Sequence, residues 1–250
     1  MAQHPLLAKV QKTALPAILR LLKARKKAFD AGRSLERGLD FANSEVERYA
    51  FHVSNRLLLF NGVQATLALV ADMIRSAGPS RIPDTYGLFE LQRHHMVVHR
   101  AQIPTAKDSA LRLVAAVWDL GLPEKYLANE KLIYENKRHM TPALKAALGK
   151  LSRIVNPYLE ERNEILHEGR SVTADEGDWA AIHQAGSDLV GEEQQTFMRD
   201  AFSREFQRLA ANIDADVKAI EVAEHELCDA LDPIYSRHLD MLTAVAGEEA

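Results

Sequence analysis

One cysteine, Cys228, occurs in 250 residues. A lone thiol excludes an intramolecular disulfide framework and a multi-thiolate metal site, and it fits a reducing cytoplasm. Glycine is scarce at 12 residues and aromatics make up 6%. With long stretches free of turn residues, these shortages point to an all-α chain. No window holds the roughly 18 or more consecutive apolar residues of a membrane span, so no membrane partner is expected. A glycine-rich phosphate loop, a Ser-His-Asp constellation and a DNA-reading motif are also missing.

What remains is an ordinary globular composition, 47% apolar and 26% charged, in a chain long enough to bury a sizeable core. The net charge of −4 conceals an asymmetry. Residues 1–170 carry 26 basic and 17 acidic side chains, a balance of +9, and residues 171–250 carry 5 and 18, a balance of −13. A basic body with an acidic C-terminal part suits a polyanion site, and equally an acidic helix folded onto a basic surface. No acid precedes Asp30. The basic amphipathic opening could be a transit peptide, but it is poor in Ser and Arg for that role. An N-terminal helix with a cationic face is expected instead.

The patterning predicts a helix over 5–30, with Pro16 starting or kinking its second half. Asn43 and Ser44 offer a cap for a long helix that stops at Gly78-Pro79, and 85–100 reads as a histidine-rich helix. Ile103-Pro104 is expected to break it, with Thr105 and Asp108 capping a new, apolar and central helix that stops at Gly121. Thr141-Pro142 opens a helix reaching Gly169, bent near Pro157. A loop over 170–178 and a short helix from Asp178-Trp179 follow, then a long acidic helix from about Glu192 to Pro233 and a helical tail. The expected segments are 1–80, 81–170 and 171–250, within one compact domain.

The helix from Thr141 places Leu144, Leu148, Leu151, Val155, Tyr158 and Ile165 on one seam, at steps of four, three, four, three and seven. Arg162 fills the gap in the last step. Asn163 and His167 lie about 40° apart on one flank of that seam. A guanidinium cannot shed its proton, so it requires a carboxylate, a phosphate or water. Pairing with an internal acid, with Asp119 the candidate, is the plain structural account. A metal account needs more than the Glu164–His167 spacing: a second such pair and two further glutamates on facing helices, which are not evident. The third account is an anion site, where Arg162 meets phosphate, Asn163 orients a group and His167 moves a proton.

Arg162-Asn163-Glu164-Ile165-Leu166-His167 resembles the RNxxxH signature of the HEPN superfamily (higher eukaryotes and prokaryotes nucleotide-binding), over roughly residues 85–170. The resemblance implies an up-and-down helical bundle, here with additional N- and C-terminal helices. It implies a metal-independent endoribonuclease without cofactor, acting on RNA as a homodimer whose two motifs face one cleft. Catalytic roles would fall to Arg162, Asn163 and His167. It also implies a place in bacterial defence or a toxin system, with a neutralising protein partner. Some family toxins carry a tyrosine two residues after the histidine; here that residue is Gly169. The alternative is a non-catalytic bundle that binds RNA, nucleotide or a protein.

Other stretches take plainer readings. His95 and His99, in RHHMVVHR, could start a zinc site, but with no cysteine or paired acid nearby a solvated helix face is expected. Lys137-Arg138-His139 reads as a loop, and Trp118 and Trp179 as packing residues.

Overall fold

Local signals fix most of the helix ends. The computed structural model describes residues 4–35, 40–76, 85–123, 126–136, 138–163 and 191–248. These residues are about 86% helical and contain no strand. The helices are α1 (Pro5–Asp30), α2 (Glu45–Ser76), α3 (Thr85–Val117), α4 (Glu130–Glu135), α5 (Pro142–Val155), α6 (Leu159–Asn163) and α7 (Glu192–Glu248).

At the start of α1 the His4 ring accepts from the Leu6 amide at 3.1 Å, and Pro5 costs no hydrogen bond at the first turn. The helix ends at Gly32, whose φ of 63° suits a residue without Cβ, and Arg33 donates back to the Ala28 carbonyl. Ser44 Oγ accepts from the Glu47 amide to open α2. Thr141 caps α5 through the Leu144 amide at 3.1 Å, as its side chain and the following proline lead one to expect.

Four expectations are corrected. Ile103-Pro104 does not end a helix, since α3 runs through it as one element with Pro104 inside. Thr105 is no cap either; its hydroxyl donates to the Gln102 carbonyl within the helix. Pro104 removes one backbone bond, and the buried faces on both sides, with Ile103 and Ala106 fully enclosed, outweigh that loss. Likewise Pro233 lies inside α7, between fully buried Leu231 and Tyr235. The stop of α3 comes before Gly121: Asp119 adopts φ 49°, and the Asp119 and Leu120 amides bond the Ala116 and Ala115 carbonyls. The bend at Pro157 is realised as a 3-10 turn over Asn156–Tyr158 that divides α5 from α6.

The chain forms two compact units, Met1–Asn61 with Asp108–Lys150 and Ala223–Ala250, and Gly62–Lys107 with Leu151–Val222. The first has the apolar end of α3 at its centre, where Leu113, Val114 and Val117 are enclosed on all sides. Tyr49 stacks on Tyr235 at 5.3 Å, and its hydroxyl donates to the Val117 carbonyl, satisfying an acceptor in the last turn of α3. Burial, with nearby charge, pushes the Tyr49 phenol far up, so it remains a donor. Lys9 ties α1 to α7 through Asp232 at 2.5 Å. Trp118 is buried, as expected of a packing residue.

The second unit is built on Leu67, Ile74, Ile103, Leu151, Val155 and Ile213, all buried. Arg75 pairs with Asp214 there at 2.5 Å. Among the described residues α2 alone is long and apolar enough to cross a membrane, with a mean hydropathy of 1.7 over its best window, and 44% of that window is buried in the protein. Buried core helices meet the same criterion.

Candidate functional site

The α5 seam keeps its expected face as far as the chain is described. Leu144, Leu148, Leu151 and Val155 are buried, Tyr158 and Arg162 are partly buried, and Asn163 is exposed. Arg162 and Asn163 share α6, a short helix held to α5 by the 3-10 turn. His167, together with Glu164, Ile165, Gly169, the loop over 170–178 and the helix from Asp178-Trp179, lies outside the described residues, as does Lys137.

Where the seam stops being apolar, a polar cluster begins. It belongs wholly to the second unit. Asp216 Oδ2, from α7, accepts from the Tyr158 hydroxyl at 2.9 Å and lies 2.9 Å from His99 Nε2 of α3. A carboxylate oxygen that accepts here is met by a ring N–H, so Nε2 carries a proton toward Asp216. The His99 and Tyr158 rings meet edge to face at 5.5 Å. Burial, then the bond to Asp216, raises the Tyr158 pKa well above the ordinary phenol range, so Tyr158 is a permanent donor here. Next to it Arg100 Nε pairs with Glu161 Oε2 at 3.0 Å.

These contacts correct the expectation of a solvated histidine face. His95 and His99 are 2% and 4% exposed. They sit four residues apart, on the side of α3 turned into the unit. Among the described residues His95 has no hydrogen-bond partner for either ring nitrogen. Burial, followed by repulsion from His94, lowers its pKa, so it is held neutral. Among the described residues no group of three or more His, Cys, Asp or Glu is arranged to hold a metal ion.

Asp119 does not serve as a buried acid. Its side chain is 55% exposed and lies 3.3 Å from His238 Nε2 in the first unit. That unit also has a cavity of about 360 Å³ between Tyr49, His52, Asp119 and Leu242. Its charged rim is already engaged, Arg48 with Glu45 and Asp119 with His238. His139 packs on Trp118 at 5.6 Å in the turn after α4, in keeping with a plain loop.

Sequence reasoning marked Tyr158 as a seam residue and His99 as a member of a histidine face, but it missed Asp216. That residue is 117 positions from His99 and is one acid among many on an acidic helix. No local signal distinguishes it.

In comparisons with known proteins, no family model, no curated protein and no solved structure matches the chain.

Proposed function

We propose that the chain is a metal-independent endoribonuclease of the HEPN type, working as a cytoplasmic homodimer. One observation carries the reading. A buried apolar seam gives way at Tyr158 to polar contacts, and one turn further a partly buried cation, Arg162, stands beside the exposed amide of Asn163. That is the setting in which a guanidinium can meet a phosphate while its helix remains anchored.

In this reading a ribose 2′-hydroxyl attacks the adjacent phosphorus. The new O–P bond forms a cyclic phosphate, the bond to the 5′-oxygen breaks, and a proton passes from the nucleophile to the leaving oxygen. His167 moves the proton, Arg162 stabilises charge on the phosphorane, and Asn163 orients the group. One motif histidine cannot act as base and acid in the same step, so two copies across a dyad supply both. A toxin or defence role with a neutralising protein partner belongs to the same proposal.

The test is His167→Ala in the full chain, assayed on single-stranded RNA with EDTA present. Cleavage by the wild-type protein should be lost in the variant at an unchanged circular dichroism melt. Cleavage that EDTA abolishes, or that the variant retains, refutes the assignment.

A second reading has its own observation. Glu161 and Asp216 bring two carboxylates to the start of the motif, and both oppose an incoming phosphate. A non-catalytic bundle that binds RNA, nucleotide or a protein would carry the same residues as a structural polar network. RNA binding without turnover would favour it.

A further inference from the structure

The two sides of α1 are both apolar, and only one of them is buried. Leu6, Val10 and Ala17 face the protein and are 0% exposed. At 100° per residue Leu15, Ile18, Leu19, Leu22 and Phe29 fall within about 100° of arc on the opposite side. Of these, Leu15, Leu19 and Leu22 are 49%, 47% and 53% exposed, and Phe29 is 83% exposed. Large apolar side chains in such a row are uncommon on a surface that meets only water.

Cations border the row. Lys12, Lys23 and Lys27 lie along one edge and Arg25 along the other, and none of these four makes an ion pair among the described residues. Lys23, Lys26 and Lys27 also line a shallow cleft of about 380 Å³ beside Asp30, the only acid on the helix. A lysine-lined cleft next to exposed Leu22 and Phe29 offers phosphate contacts and an apolar anchor together.

From this arrangement we propose that the outer face of α1 docks on an anionic phospholipid surface. The leucines and Phe29 enter the headgroup–acyl boundary, and the flanking lysines meet lipid phosphates. Flanks whose one acid, Asp30, is already paired with Lys26 are otherwise positive and fit a negative surface. A partner helix would more naturally be met by charges of both signs. No spanning segment is needed, so this docking departs from the sequence-based expectation of no membrane partner without requiring a transmembrane helix. It does not depend on the ribonuclease reading.

The experiment is flotation of the full chain with vesicles of phosphatidylcholine alone or of equimolar phosphatidylcholine and phosphatidylglycerol. Binding is expected to the anionic vesicles only. Leu22→Gln/Phe29→Gln and Lys23→Glu/Lys27→Glu should each weaken it at least about tenfold, as should raised salt. Should a variant fail to fold, wild-type dependence on lipid charge and salt decides, with vesicle protection of Lys23–Lys27 from trypsin. The proposal is overturned by absence of flotation, by equal binding to neutral vesicles, or by variants that bind as the wild type does. If the wild type ignores vesicles and Leu22→Gln/Phe29→Gln converts a dimer to monomer in sedimentation, the face belongs to a second copy of this chain.

Discussion

Removing Asp216 should reveal how much the polar cluster contributes. The carboxylate accepts from Tyr158 and His99 at 2.9 Å each, and the His99 and Asp216 side chains are 6% and 19% exposed. A hydrogen bond to a charged acceptor contributes about 1.5–3 kcal/mol, and a buried donor left unsatisfied costs about 1–3 kcal/mol. The partial exposure of Asp216 moves both figures toward their lower ends. Asp216→Ala should therefore cost about 3 kcal/mol. Tyr158→Phe, which leaves Asp216 its histidine, should cost about 1–1.5 kcal/mol. For a chain of this size that corresponds to melting shifts of about 6–12 °C and 2–6 °C. The double variant should cost roughly what Asp216→Ala costs alone, a coupling of about 1 kcal/mol, because the tyrosine bond is already lost. Circular dichroism melts of the four proteins at pH 7 measure it. Additive costs, or a neutral Tyr158→Phe, would show that Asp216 does not hold the two donors together.

Three smaller tests follow from the fold. His95 is neutral in the folded chain, with a pKa below its ordinary value of 6.5, so the unfolded chain binds its proton more readily. Stability from this residue is full above about pH 6.5 and falls as pH drops below it, and His95→Phe should flatten that slope in urea unfolding at pH 7.5 and 5.5; an unchanged slope would refute it. Thr141→Ala should cost about 1 kcal/mol through loss of the cap on the Leu144 amide, read as a lower urea midpoint at constant slope. With Asp119 at φ 49°, Asp119→Gly should stabilise by about 0.5 kcal/mol, whereas Asp119→Ala should destabilise; equal melts for the two would show that the backbone is not strained there.

Helix positions were legible where the signal was local. The limits of α1 follow from Pro5 and Gly32, and the start of α5 from Thr141-Pro142. Pro104 and Pro233 misled because a proline's cost of about 3 kcal/mol is a local quantity, while the burial of Ile103, Leu231 and Tyr235 that offsets it comes from distant chain segments. For the same reason RHHMVVHR reads as a solvated face. The partner that draws His99 inward is Asp216, and only the fold brings it there. Of the candidate motif, Arg162 is partly buried where the expected seam ends, Asn163 is exposed on its flank, and His167 lies outside the described residues. Tyr158, one turn before them, was visible as a seam residue but not as a hydrogen-bonding one.

The most direct measurement is the chemistry of the cut ends after the full chain meets single-stranded RNA in EDTA. A 2′,3′-cyclic phosphate on one fragment and a 5′-hydroxyl on the other, both lost in Arg162→Ala, is the result this account expects. Intact RNA, or fragments ending in a 3′-hydroxyl, would contradict it.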